Sequence, residues 1–241
     1  MKTLIAAAVI FAMIATGARA ETLFYGGDTS YFFQNFAWGA YNDGNALLGD
    51  NFQAYDDFTV PVGKSWTITG IFANIGDPAY STSLAANWFV RTGMTATSLG
   101  TLAASGTDVP GTISNIGGGA LINGNLTSET LTVSLASPVV LSGGHTYWFA
   151  LQPISTSDFH TFVGGTTANA NAVGGPLDDF SYIVSSGTIQ SVNFDLSAGV
   201  IGTASLAAVP EPASLALLGA GLLGIAAVRR MTCSGRTDAR P

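Results

Sequence analysis

An uncharged apolar run of sixteen residues, ASLALLGAGLLGIAAV at positions 213–228, lies close to the C-terminus between a proline-rich strip and an arginine pair. As a helix it would be roughly 24 Å long, at about 1.5 Å per residue. The hydrocarbon core of a bilayer is about 30 Å thick, and Arg229 and Arg230 can reach the interface to close the difference. The run therefore predicts a transmembrane helix and not a segment of a globular core.

The strip before this run is Val209-Pro210-Glu211-Pro212. Its two prolines fix φ near −65° and favour an extended, stiff backbone that a membrane enzyme can grip. Arg229 and Arg230 are expected to stay cytoplasmic because positive residues remain on that side. This order of elements, over residues 209–230, resembles the PEP-CTERM sorting signal of bacterial exosortase substrates. The resemblance implies export, transient tethering in the inner membrane, processing near Pro210–Pro212 by an exosortase, and delivery to the cell surface or an extracellular matrix.

The N-terminus has the features of a secretory signal peptide. Lys2 is followed by an apolar segment, Leu4 to Ile14, and by the small-residue cleavage pattern Ala18-Arg19-Ala20. We expect the secretion translocon to export the chain and the mature protein to begin at Glu21. The predicted organisation is a signal peptide at 1–20, an ectodomain at 21–204, a sorting signal at 205–230 and a short cytoplasmic tail at 231–241.

Charge is distributed unevenly once these end segments are set aside. Between positions 21 and 209 the only cations are Lys64 and Arg91 against thirteen acids, a net charge of −11. Such a surface repels nucleic acid and anionic lipid alike, so no nucleic-acid partner is expected. The single cysteine, Cys233, follows the apolar run, so the ectodomain depends on burial and backbone pairing and has no internal disulfide.

The ectodomain sequence predicts an all-β fold. Apolar residues alternate with polar ones in several short runs between turn-forming clusters, which favours strands. We therefore predict a single β-sandwich or jelly-roll-like domain. The runs are Phe58 to Val60, Trp66 to Thr69, Trp88 to Val90, Leu131 to Leu135, Tyr147 to Leu151, Phe180 to Val184 and Val192 to Leu196.

Catalytic motifs are sparse, and we expect no enzyme activity. His145 follows a Gly-Gly turn and is predicted to be a surface residue, while Asp158 and His160 would share one face of a strand. No Gly-x-Ser-x-Gly elbow or zinc-ligand spacing is present in the sequence. No cofactor is expected apart from calcium.

Two aspartate pairs are the candidate calcium ligands. Asp56-Asp57 is placed just before a strand and Asp178-Asp179 in a loop after Gly-Gly-Pro-Leu, and calcium prefers such carboxylate oxygens. Either pair would supply part of a calcium shell, helped by Asn42, Asp43 or Asp50. The alternative is that both pairs lie in solvated loops without a metal.

Aromatic residues are the other candidate ligand-binding groups because flat rings stack on sugars. Trp66 and Trp88 are predicted in the core. Trp148 would face outward if Tyr147 and Phe149 face inward, and Trp38 lies in a loop-like stretch.

Three functions remain open: a noncatalytic β-sandwich that binds or organises exopolysaccharide, a secreted glycan-active hydrolase that uses two carboxylates, and a structural or adhesion module with a protein ligand.

Overall fold

The computed structural model describes residues 19–29, 52–78, 85–115, 126–154, 162–167 and 169–207. All regular secondary structure in these ranges is β, which confirms the predicted class. Outside them lie residues 1–18 of the predicted signal peptide, residues 208–230 of the predicted sorting signal with its helix at 213–228, and Trp38, Asp158 and His160. The strands are β1 Glu21–Tyr25, β2 Gln53–Val60, β3 Lys64–Pro78, β4 Ala85–Thr92, β5 Thr101–Asn115, β6 Leu126–Ser142, β7 His145–Ile154, β8 Phe162–Val163, β9 Gly165–Thr166, β10 Ser181–Ser185, β11 Thr188–Val192, β12 Asp195–Leu196 and β13 Ala198–Leu206.

One curled, antiparallel sheet contains most of these strands. Its order is β1-β13-β3-β6-β5-β4-β7-β2-β10-β11, with β8 paired to β3 at the side, while β12 and β9 form a separate two-stranded ladder. β5 connects the two halves because its first part pairs with β4 and its last five residues pair with β6. The strands predicted as a sandwich thus join in one continuous hydrogen-bonded path that curls around a shared core.

The main core lies inside the curl and contains alternate residues of almost every strand. In β7, Tyr147, Phe149 and Leu151 face this core, as their spacing predicts. Phe58 stacks on Trp66 at 5.4 Å and on Tyr147 at 5.9 Å between ring centroids. Such aromatic pairs add about 1 kcal/mol each beyond the area they bury. Trp66 and Trp88 are buried here, so their predicted core positions are confirmed.

A second apolar cluster lies on the other face of β2, β7 and β10. It contains Tyr55, Trp148, Ala150, Tyr182 and Val184. β10 is consequently buried on both faces, with Ile183 in the main core and its neighbours Tyr182 and Val184 in this outer cluster. Both faces of β10 carry apolar residues, so the sequence pattern could not indicate which one faces inward.

The predicted strand from Val192 to Leu196 is divided in the structure. β11 ends at Val192, the chain bends at Asn193-Phe194, and Asp195-Leu196 pairs with β9 instead. Phe194 lies against Gly165 of β9, where an added Cβ would come 2.9 Å from the ring. The bend therefore moves Asp195 out of the long sheet and toward β2.

Several strands end together at one end of the sheet. Leu206 pairs with Lys64, Ser65 with Ser142, Val60 with His145, and Thr92 with both Tyr147 and Thr101. The tight turns here pack on each other, since a Cβ on Gly143 would lie 2.3 Å from the Pro61 carbonyl oxygen. We call this end, formed by residues 61–64, 93–100, 143–144 and 206, the exit end because the chain leaves the sheet there.

Backbone contacts divide the chain into two units, Met1–Leu206 and Ala207–Pro241. β1 begins at Glu21, the residue predicted to start the mature protein, and β13 ends two residues after Ala204, the predicted end of the ectodomain. Within the described ranges, no helix has the length and apolar character needed to cross a membrane.

Candidate functional site

The first aspartate pair lies inside a strand and not ahead of one. Asp56 and Asp57 occupy the middle of β2 and are only 1% and 6% exposed. The expectation that this pair precedes a strand is therefore wrong, and so is the alternative of a solvated loop. Asp56 shares the face of β2 that carries Ala54 and Phe58 into the main core, whereas Asp57 lies on the face of Tyr55.

Backbone donors compensate the burial of Asp56. The N–H of Asp57 donates to Asp56 Oδ1 at 3.0 Å, and the N–H of Leu196 donates to Oδ2 at 2.9 Å. Gly26 allows this approach, because a Cβ there would lie 3.2 Å from Oδ2 and 2.2 Å from the Leu196 carbonyl oxygen. The bond from Leu196 joins β2 to β12 through a carboxyl oxygen of Asp56.

Asp195, at the start of β12, is the third buried carboxylate of this region. Its Oδ1 accepts from the N–H of Phe180 at 3.2 Å, and the Asn169 amide nitrogen donates to its Oδ2 at 3.1 Å. Asp178 and Asp179 lie nearby in the exposed loop before β10, as predicted. In the sequence, Asp195 fits the alternating pattern of a strand from Val192 to Leu196, and nothing local indicates that the chain bends toward β2.

Asp56, Asp57, Asp178, Asp179 and Asp195 form a carboxylate cluster, and burial together with mutual repulsion raises the pKa of its three buried members. Burial, followed by the charge of Asp195, raises the pKa of Asp56 well above its ordinary value. Burial, followed by the charges of Asp178 and Asp195, raises the pKa of Asp57 to about 7. Burial and the charges of Asp178 and Asp179 also raise the pKa of Asp195. The fold thus favours protonated carboxyl groups here.

The two predicted aspartate pairs come within electrostatic range of each other in the fold. Within the described ranges, however, no three Asp, Glu, His or Cys side chains are placed to hold a metal ion. Asn42, Asp43 and Asp50, the candidate additional ligands, fall outside these ranges. Calcium binding at Asp56, Asp57, Asp178 and Asp179 therefore stays a prediction.

Trp148 points away from the main core, as its position between Tyr147 and Phe149 indicates, but it is not exposed. Only 8% of its surface is accessible, because Tyr182 packs 4.8 Å and Phe180 6.2 Å from its ring. The expectation of an open Trp148 ring is wrong, since the outer face of the sheet has its own apolar cluster. A ligand-binding role for Trp148 or Trp38 stays a prediction.

A shallow cleft of about 400 Å³ opens at the exit end. It is lined by Thr92, Gly93, Ser142, His145, Thr146 and Tyr147. His145 is exposed, as predicted, and its ring lies edge-on to Tyr147 at 6.4 Å. The Tyr147 hydroxyl accepts from Ser142 N–H and donates to Ser142 O, which fixes one wall. The hydroxyl groups and the imidazole make this cleft polar.

Comparison with protein families gives a match near the C-terminal end. The model of the PEP-CTERM protein-sorting motif matches residues 208–230, which include Val209, Pro210, Glu211, Pro212, Arg229 and Arg230. No curated protein matches the chain. The chain therefore carries a PEP-CTERM protein-sorting motif at its C-terminal end, which implies an exported protein that an exosortase in the membrane sorts to the cell surface.

Proposed function

We propose that this chain is a noncatalytic protein of the cell surface or biofilm matrix whose β domain binds or organises extracellular polysaccharide. The sorting motif supports the destination. In this proposal the apolar run at 213–228 holds the chain in the inner membrane until an exosortase cleaves near Pro210–Pro212. The β domain then acts outside the cell.

The polar cleft at the exit end is the observation that carries the binding proposal. Its volume of about 400 Å³ falls within the range of small-molecule sites, which is about 300–1,000 Å³. Thr92, Ser142 and Thr146 supply hydroxyl groups, and the exposed imidazole of His145 supplies a further donor or acceptor. A surface of this chemistry suits the hydroxyl groups of a sugar chain.

The net charge of the ectodomain limits which polysaccharides can bind. The segment from 21 to 209 has a net charge of −11, so a long anionic polymer that extends beyond the cleft over the acidic remainder of the domain would be repelled. A neutral polysaccharide meets no such barrier, and the cleft walls themselves contain no Asp or Glu. Neutral glycans are therefore the ligands that we expect.

A glycan array probed with the released protein tests this proposal. We expect binding to neutral oligosaccharides that weakens at least tenfold in His145→Ala, because the substitution removes a wall of the cleft. Ser191→Ala, an exposed change on β11 far from the cleft, is the matched control and should bind normally. Failure of the unaltered protein to bind any glycan would reject the proposal.

The carboxylate cluster favours a second candidate, a glycan-active hydrolase. A glycosidase needs one carboxyl group that stays protonated near neutral pH beside a second, ionised one. Asp57, whose pKa is raised to about 7 by burial and by the charges of Asp178 and Asp195, supplies a carboxyl group of the first kind. Release of reducing sugar that disappears in Asp57→Asn would favour this candidate over noncatalytic binding.

A further inference from the structure

The exit end differs in charge from the rest of the acidic domain. The strand ends and turns that meet there, residues 58–67, 91–103, 138–148 and 202–206, contain no Asp or Glu. They contain both cations of the ectodomain, Lys64 as the first residue of β3 and Arg91 next to the last residue of β4. Arg91 is engaged with the Tyr55 hydroxyl at 3.1 Å, whereas Lys64 lies in the exposed turn. This end is therefore locally basic.

Exposed apolar side chains concentrate at the same end. Val62, at the tip of the β2–β3 turn, is 86% exposed, and Leu206, the last residue of β13, is 76% exposed. Leu102 and Val140 are also exposed, and each lies within two residues of a strand end there. Single exposed apolar residues are ordinary, but their grouping beside Lys64 resembles an interfacial membrane contact.

Chain length keeps this end close to the bilayer. Leu206 ends the sheet, and six residues, 207–212, precede the apolar run at 213–228. At no more than about 3.5 Å per residue, these six residues extend roughly 21 Å. An apolar run seated in the membrane thus confines Leu206 to the neighbourhood of the lipid headgroups.

From these three observations we propose that the exit end docks on the lipid surface while the chain is tethered. Val62 and Leu206 enter the interface, and Lys64 approaches lipid phosphates. This inference rests on the membrane tether in the proposed function, but not on glycan binding. Because the polar cleft opens at the same end, docking covers it, and the cleft becomes accessible only after the exosortase releases the domain.

A fluorescence-quenching experiment on the full chain tests this docking. In a Cys233→Ser background, which removes the single natural cysteine, Ala96→Cys places an environment-sensitive dye at the exit end. Ser186→Cys places the same dye at the β10–β11 turn, at the opposite end of the sheet, and both positions are exposed. The chains are inserted into vesicles of phosphatidylethanolamine and phosphatidylglycerol that contain a headgroup-labelled quencher.

We expect at least threefold stronger quenching at position 96 than at 186. Lys64→Gln should lower the ratio of docked to undocked protein about fivefold, the usual effect of one basic residue at an anionic surface. Val62→Asp should lower it further, and the high exposure of Val62 leaves the fold unaffected.

Three results would overturn the proposal. Equal quenching at both positions would show that no particular end faces the lipid. Quenching at position 96 that stays the same in Lys64→Gln and Val62→Asp would show that the tether alone brings the exit end near the lipid. Contact that appears only after other membrane proteins are added would assign the surface to a protein partner. Glycan binding is measured on released protein without lipid. Failure of the glycan-binding proposal can therefore be distinguished from each of these three results.

Discussion

The Leu196 backbone N–H donates a hydrogen bond of 2.9 Å to the Asp56 carboxylate, although 140 residues separate the two in the chain. This bond joins the centre of β2 to β12, and both residues are almost completely buried. The same carboxylate accepts from the Asp57 N–H. Asp56 is thus an internal connection between distant parts of the fold.

Replacing Asp56 tests that connection. Asp56→Ala leaves two buried N–H donors without an acceptor, and we expect it to lower the free energy of unfolding by about 2 kcal/mol at pH 5. Asp56→Asn should cost less because the amide oxygen replaces one acceptor. Urea denaturation followed by tryptophan fluorescence gives the values. Asp178→Ala, at an exposed position, is the control, and a loss in Asp56→Ala no larger than in this control would contradict the account.

Stability should depend on pH through the carboxylate cluster. The pKa values of Asp56, Asp57 and Asp195 are raised in the folded protein, so the folded state binds more protons than the unfolded chain above pH 3.8. The stability they contribute is complete below that pH and decreases as pH rises to about 7, where Asp57 ionises. We expect the melting temperature to be higher at pH 5 than at pH 8 by about 5 °C.

Asp57→Asn provides the control for this pH dependence. The neutral amide cannot ionise, so the difference between pH 5 and pH 8 should become smaller. Calorimetry at both pH values measures it. A melting temperature that rises from pH 5 to pH 8 in the unaltered protein would contradict the raised pKa values.

Trp148 should contribute to stability. Its ring is buried against Tyr182 and Phe180, so Trp148→Ala removes a large packed side chain and should cost about 3–4 kcal/mol. Trp148→Phe keeps part of the contact and should cost less. If Trp148→Ala instead left stability unchanged but abolished glycan binding, Trp148 would be the exposed binding residue that the sequence suggested.

The proline strip should be required for processing. Replacing Pro210 and Pro212 with alanine frees the backbone on both sides of Glu211 and removes the rigid feature ahead of the apolar run. We expect precursor that retains Cys233 to accumulate in the membrane fraction, detected by a thiol-reactive label. Ala213→Ser, a small change just after the strip, is the control. Normal release of the double variant would show that the strip is not recognised.

Local patterns predicted much of the fold but not its long-range connections. Alternation identified β7 and the inward direction of Tyr147, Phe149 and Leu151, because strand geometry fixes side-chain direction within a few residues. It also placed Trp148 on the opposite face correctly. It could not show that Tyr182 and Phe180, more than thirty residues later, cover that ring.

The carboxylate cluster likewise depends on long-range contacts that local sequence patterns do not predict. A pair of aspartates ahead of an apolar run is typical of a solvated turn, and only the Leu196 N–H and the approach of Gly26 explain its burial. A bend at Asn193-Phe194 brings Asp195 into the cluster. The residues at this bend do not predict it. The sorting motif was predictable because its elements are consecutive in the chain.

Intact mass measurement of the protein collected from the cell surface or medium tests the central claim most directly. The account predicts a chain that begins at Glu21 and ends near Glu211, without the apolar run at 213–228 and without Cys233. A surface protein that still contains residues 213–241 would contradict it, because the apolar run would then not be a removable membrane tether.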